Sequence, residues 1–102
     1  MITEDQAHSF AKEYIAKISL YGIEMAMTSY GLIDHGDAYM FFYNTKECVE
    51  TSDLLKGVVG QGPIIIGKQM GEIIEYGSAL DVDAALMDYR GSKKQGILYK
   101  RK

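Results

Sequence analysis

Apolar positions in the first eighteen residues fall on one stripe. Ala7, Phe10, Ala11, Tyr14, Ile15 and Ile18 recur at i, i+3, i+4, i+7, i+8 and i+11, the 3.6-residue period of an amphipathic helix. Glu4, Asp5, Lys12, Glu13 and Lys17 lie off that stripe, with the acids at the end where a helix dipole favours them. Thr3 and Gln6 have capping-box spacing: the hydroxyl takes an orphan amide and the glutamine side chain reaches back to the cap. The pattern predicts an N-terminal helix that stops before Gly22. After Gly22 the period changes to two. Residues 23–30 and 38–44 are rich in Met, Tyr, Phe and Thr, and Gly31 to Asp37 separates them with turn-forming types, which predicts an antiparallel pair. A second pair is predicted from Ile64-Ile65-Ile66, a turn over residues 67–71, and Glu72 to Tyr76. Thr45 to Gly60 between the pairs reads as a loop carrying a helical turn within Lys46 to Lys56.

Near the end, Asp81 is placed to cap a short helix in which Val82, Ala85, Leu86 and Tyr89 share a face, ending before Gly91. Gly96 to Tyr99 then reads as an edge strand or a docked extension. The expected fold class is α+β. It consists of an N-terminal helix, an antiparallel sheet of about four strands built from two hairpins, a short C-terminal helix and a basic tail. Helices are expected on one face of the sheet. Residues 1–89 form one domain in this reading and 90–102 a basic C-terminal extension. Tyr39, Phe41 and Tyr43 alternate with Met40, Phe42 and Asn44, so this strand carries bulky apolar groups on both faces. A sheet with one solvated face alternates apolar with polar. Either a tail or loop covers the second face, or that face is a partner surface.

Charge adds a segregation that the net value of −3 conceals. Up to Tyr89, five lysines face all fourteen acids, a net of −9; from Arg90 onward there are six cations and no acid, +6. An acidic body with a basic tail leaves a basic protein and a nucleic acid as partner classes, and the second is disfavoured because the body repels phosphate and Tyr99 is a thin stacking platform for bases. No nucleic-acid partner is therefore expected. At 102 residues and 47% hydrophobic composition, one folded domain is the expectation rather than a disordered acidic chain. A single cysteine excludes an internal disulfide framework. The polar, acidic start Met1 to Asp5 is unlike a secretory leader, and the longest wholly apolar run, Pro63 to Ile66, is far short of a membrane span. A cytoplasmic protein with no membrane contact is expected.

Catalytic patterns are absent. No Gly-x-Ser-x-Gly or phosphate-loop motif occurs, and Cys48, His8 and His35 stand in unrelated contexts. Asp34-His35-Gly36-Asp37 holds metal-ligand types, but Asp and Gly are also what a hairpin loop requires. Gly60-Gln61-Gly62 lacks the spacing of a dinucleotide loop, and Pro63-Ile64 opens a strand rather than a helix. No enzyme, cofactor or metal site is expected.

Three stretches carry a family likeness. They are Tyr39 to Glu47 followed by Glu50-Thr51-Ser52-Asp53; Gly60 to Ile66 with Gly71-Glu72-Ile73; and Gly77-Ser78 leading to Asp88-Tyr89. Together they resemble the bacterial YrhB-like proteins, classed as immunity protein family 35, over roughly residues 38–89. The family commonly has Gly-Trp where this chain has Ala38-Tyr39, and Gly-Asp where it has Ser52-Asp53. The resemblance implies a small α+β domain whose role is to bind and neutralise a cognate toxin of a polymorphic toxin system; a chaperone-like activity is also attached to the YrhB name. An acidic inhibitor suits a toxin with a cationic cleft, through faster steered association. The candidate partner-binding acids are Asp34 and Asp37 on the hairpin loop with Glu47, Glu50 and Asp53 in the middle segment. The candidate apolar anchors are Tyr39, Phe41 and Tyr43. The competing function is a chaperone or general interaction module, for which six methionines and eleven aromatics would supply an adaptable apolar surface.

Overall fold

A computed structural model describes residues 1–19, 22–53, 55, 57, 61–91 and 95–99. The first helix, α1, runs Glu4–Ile18, opened by the expected capping box between Thr3 and Gln6 and closed at Ser19. Strands β1 (Met25–Met27) and β2 (Ile33–Asp34) lead into β3 (Ala38–Phe41) and β4 (Tyr43–Thr45). A short helix α2 (Lys46–Thr51) follows, then β5 (Gln61–Gly67) and β6 (Ile73–Gly77). Helix α3 (Val82–Arg90) is capped by Asp81, whose side chain accepts from the Ala84 amide at 2.8 Å. Strand β7 (Ile97–Tyr99) comes last. The α+β class is as the sequence indicates.

The sheet is larger than expected, and its first hairpin is broken. Among the described residues, β2-β3-β5-β6-β7 form a five-stranded antiparallel sheet and β1-β4 a separate two-stranded ribbon. Met27 pairs with Tyr43, but Ile33 pairs with Met40, so the first arm carries three residues more than the second between these points. Thr28 to Gly31 absorbs them in a turn closed by the Gly31 amide on the Thr28 carbonyl at 3.0 Å. Gly31 has φ +64, a conformation that costs glycine little. The second hairpin also carries an irregularity. Between the pairs Gln61↔Gly77 and Ile64↔Glu75 the register shifts, and Gly62-Pro63 forms the bulge. Gly62 lies so close to the Gly77 backbone that a Cβ would not fit there. This places Gly62, set aside as part of a nucleotide loop, within a strand; Gly60 lies outside the described residues.

Helices cover both faces of the sheet, not one. On the first face Tyr39, Phe41, Ile64, Ile66 and Ile73 pack beneath Ala7, Ala11 and Tyr14 of α1. Tyr14 sets its ring edgewise against Phe41, Tyr43 and Tyr99, with centroids 5.9, 6.1 and 4.9 Å away. On the second face Ala38, Met40, Ile65, Ile74 and Tyr76 pack against Ala85, Leu86 and Tyr89 of α3. The doubly apolar pattern of β3 is thus a strand covered on both sides, and the cover on its second face is α3 rather than a tail or a partner. Burial on two faces explains the unbroken isoleucine run of β5. Strand β7 adds to the edge of β6, pairing Ile73↔Tyr99 and Glu75↔Ile97, so part of the C-terminal stretch belongs to the sheet. Arg90 closes α3. Five of the six C-terminal cations, Lys93, Lys94, Lys100, Arg101 and Lys102, lie outside the described residues.

Candidate functional site: an acid-rimmed depression beside α2

Thr45 ends β4 and starts α2 with one side chain. Its Oγ1 accepts from the Cys48 amide at 3.1 Å, fixing the first turn. Cys48 faces inward and is buried with a free thiol, so Glu47 and Glu50 on either side of it face out. The β1–β4 pairing continues one step beyond the strands, with the Lys46 amide donating to the Glu24 carbonyl at 2.8 Å. That step brings Glu24 alongside, with Lys46 Nζ 3.5 Å from Glu24 Oε1. Ile23, Glu24, Thr45, Lys46, Glu47 and Glu50 line an open depression of about 480 Å³. Ile23 is half exposed in that lining, which it shares with three carboxylates and one lysine.

Sequence reasoning reached Glu47 and Glu50 but missed Glu24. Nothing in its own neighbourhood marked it; only the β1–β4 register places it there. Asp53 lies beyond the end of α2, partly buried, where its Oδ1 accepts from the Leu55 amide at 3.0 Å in a local turn. It does not line the depression. The α2 helix stops at Ser52, which holds φ 60 and ψ 23 in the left-handed region. Glycine is the residue that adopts this geometry most easily.

The hairpin-loop acids have internal partners. Asp34 accepts from Lys68 Nζ at 2.7 Å and from the Gly36 amide at 2.8 Å, the Asx turn that makes Asp34 to Asp37 a tight loop. The Lys68 hydrogen bond, then the Gly36 amide, holds its carboxyl below the usual value. Lys68 also sits 4.7 Å over the Tyr39 ring. Asp37 is gripped by Arg90, whose Nη2 lies 2.9 Å and Nε 3.1 Å from its two carboxylate oxygens, and Arg90 Nη2 also reaches the His35 carbonyl at 3.0 Å. That grip lowers the Asp37 carboxyl. Both acids spend their charge tying the first hairpin to the β5–β6 turn and to α3.

Two of the three aromatic anchors are core. Tyr39 is 8% exposed and Phe41 wholly buried, so neither presents a surface to a partner. The physical reason is that α1 covers their face. Tyr43 is half-buried against Tyr14, and burial, then the nearby Glu75 charge, pushes its phenol up.

Further from the acids, Ile15, Ala16, Met25, Ala26 and Met27 form an apolar groove of about 580 Å³ between α1 and β1, with His8, Lys12 and Glu24 on its rim. Among the described residues no three His, Cys, Asp or Glu side chains are grouped to hold a metal ion. Nor is any described helix long and apolar enough to cross a membrane.

No family model matches the sequence. No solved structure matches it either. A protein of Escherichia coli (strain K12) described as uncharacterized protein YrhB is 31% identical over 93 residues, which cover 91% of this chain and 94% of the relative. That match extends well outside residues 38–89, taking in nearly all of the fold described above, and on it the chain belongs to the YrhB family.

Proposed function

We propose that this chain is an immunity protein that binds and neutralises a cognate bacterial toxin, docking a basic face of the toxin on the depression beside α2. The observation that carries this reading is that Glu24, Glu47 and Glu50 share one open depression with the half-exposed Ile23, three acids against the single Lys46 that pairs with Glu24. An apolar centre within a charged rim is the anatomy of a protein-protein contact. The anionic rim steers a cationic partner and speeds encounter. The resemblance of residues 38–89 to immunity protein family 35 supports the same reading. Candidate contacts are Glu24, Glu47 and Glu50; the internally bonded Asp34 and Asp37 and the buried Tyr39 and Phe41 are set aside.

The test is co-expression with the protein encoded beside it, followed by gel filtration and binding kinetics at several salt concentrations. A one-to-one complex and relief of toxicity are expected. The double reversal Glu47→Lys with Glu50→Lys should slow association by about tenfold or more at low salt while leaving thermal stability within about 0.5 kcal/mol. No complex, or a complex indifferent to the reversal, overturns the reading.

A second reading, a chaperone-like module without a dedicated toxin, is favoured by the methionine-bearing groove between α1 and β1. Methionine adapts its shape to varied apolar clients. It predicts salt-insensitive suppression of aggregation of an unrelated unfolding protein, reduced by Met25→Glu and untouched by the α2 reversal.

A further inference from the structure

Where α1 ends, the bulge in β5 leaves an opening of about 240 Å³ on the α1 face of the sheet. Tyr14, Ile18, Tyr43, Gly62, Glu75 and Ile97 are among the residues that line it. Glu75 lies opposite Ile64 on one side and Ile97 on the other, so its side chain shares the α1 face with isoleucines and tyrosines. It is half-buried there. The Tyr14 phenol lines the same opening, near enough for the Glu75 carboxylate to raise it. Among the described residues lining the opening there is no lysine, arginine or histidine. Among the described ion pairs, none involves Glu75. Burial first, and the Glu75 carboxylate next, push the Tyr14 phenol well up, and burial then Glu75 raise Tyr43 as well, so both rings stay neutral beside that charge.

A carboxylate drawn partly out of water is stabilised by a cation, and neighbouring phenols offset only part of its lost hydration. Aromatic rings beside it attract the same kind of ligand. Ile18 and Ile97 supply apolar walls for an alkyl stem, and Ile97 is exposed at the mouth. We propose that this pocket is a binding site for an alkylammonium or guanidinium head group, carried by a lysine or arginine side chain of a partner protein or by a free amine. Glu75 binds the charge, Tyr14 and Tyr43 flank it, and the isoleucines hold the stem. The site stands apart from the depression beside α2 and does not depend on the partner being a toxin.

Isotope-labelled protein titrated with n-butylammonium, with n-butylguanidinium and with neutral n-butanol tests this by NMR. The two cations should give saturable shifts at the Tyr14 and Tyr43 rings and at Ile97, with affinity at least about tenfold above that of butanol. Glu75→Gln keeps the size and a polar oxygen beside Tyr14 and should retain the fold while losing about tenfold in cation affinity. Equal response to butanol, no saturable shift at these three residues, or unchanged affinity in a folded E75Q protein overturns the proposal; the butanol comparison on the unaltered chain stands even if that variant unfolds. Nα-acetyl-lysine methylamide and putrescine separate the sources. Binding of the blocked lysine supports a protein-borne cation, and binding of putrescine alone supports a free amine. Failure of toxin binding would leave these titrations unchanged.

Discussion

Asp88 offers a sharp test of how the last helix and the last strand are held. It lies on the inner side of α3 at 8% exposure, and one of its oxygens accepts from the Tyr76 hydroxyl of β6 at 2.8 Å. The same carboxylate receives the Gln95 amide at 3.3 Å, the residue from which the chain enters β7. Gly96 follows, packed so closely on Ile74 and the Tyr76 ring that a Cβ would collide. Tyr76→Phe removes one buried hydrogen bond to a charged acceptor, which should cost about 1.5–3 kcal/mol. In a chain of 102 residues that corresponds to a fall of roughly 7–14 °C in Tm. Asp88→Ala should cost as much or more, because it strands the Tyr76 hydroxyl in the core and releases Gln95. Asp88→Asn, which keeps an oxygen acceptor, should cost least, about 1 kcal/mol. Urea unfolding followed by circular dichroism gives the three values, and the double variant Y76F/D88A should show a coupling of about 1–2 kcal/mol. Hydrogen exchange should show the Ile97 to Tyr99 amides losing protection in D88A before the β3–β5 amides do. A Y76F protein within 0.5 kcal/mol of the parent, or zero coupling in the cycle, would refute this account of the Asp88 link.

Acid stability should depend on the hairpin-loop pairs. Asp34 and Asp37 have folded values held below the ordinary 3.8, so their contribution is present above that value and lost as pH falls through the lower folded ones. The acid arm of a Tm–pH curve should therefore be flatter in the D34N/D37N double variant, and superimposable arms would contradict the pairing. Lys68 and Arg90 are raised, so their contribution persists through neutral pH and is lost only in strong alkali. Ser52 holds a left-handed backbone at φ 60, so Ser52→Gly should raise stability by about 0.5 kcal/mol, some 2–4 °C, because relief of strain exceeds the entropy cost of glycine. A loss of stability on that change, measured by calorimetry, would show that Ser52 is not strained.

Local chemistry was legible along the chain. The α1 stripe and its capping box, the Asp81 cap, the Asx loop at Asp34, and the helical turn after Thr45 each rest on residues within a few positions of one another. Such features depend on short-range sterics and hydrogen bonding, so the sequence carries them almost whole. The two-sided apolar pattern of β3 was equally visible, and it required that something cover both faces. That the cover is α3 rather than a tail or partner depends on the chain turning from β6 onto the second face between Gly77 and Asp81, which no periodicity encodes.

The candidate sites show the same division more plainly. Residue type marked Asp34, Asp37, Glu47 and Glu50 as equivalent acids. The fold separated them, setting the first two against Lys68 and Arg90, which are 34 and 53 positions away in the chain, and leaving the others on an open rim with Glu24. Tyr39 and Tyr43 look alike in a strand of alternating aromatics, yet α1 buries one in the core and leaves the other half-open beside Glu75. The sequence by itself determined the helices and their caps and marked most of the strand-forming stretches, because those follow from neighbours; the split of the first hairpin and the strand β2 within its expected loop did not. Which charges remain at the surface and which aromatics line a pocket were decided only by the tertiary structure, because charge pairing and burial depend on distance in space.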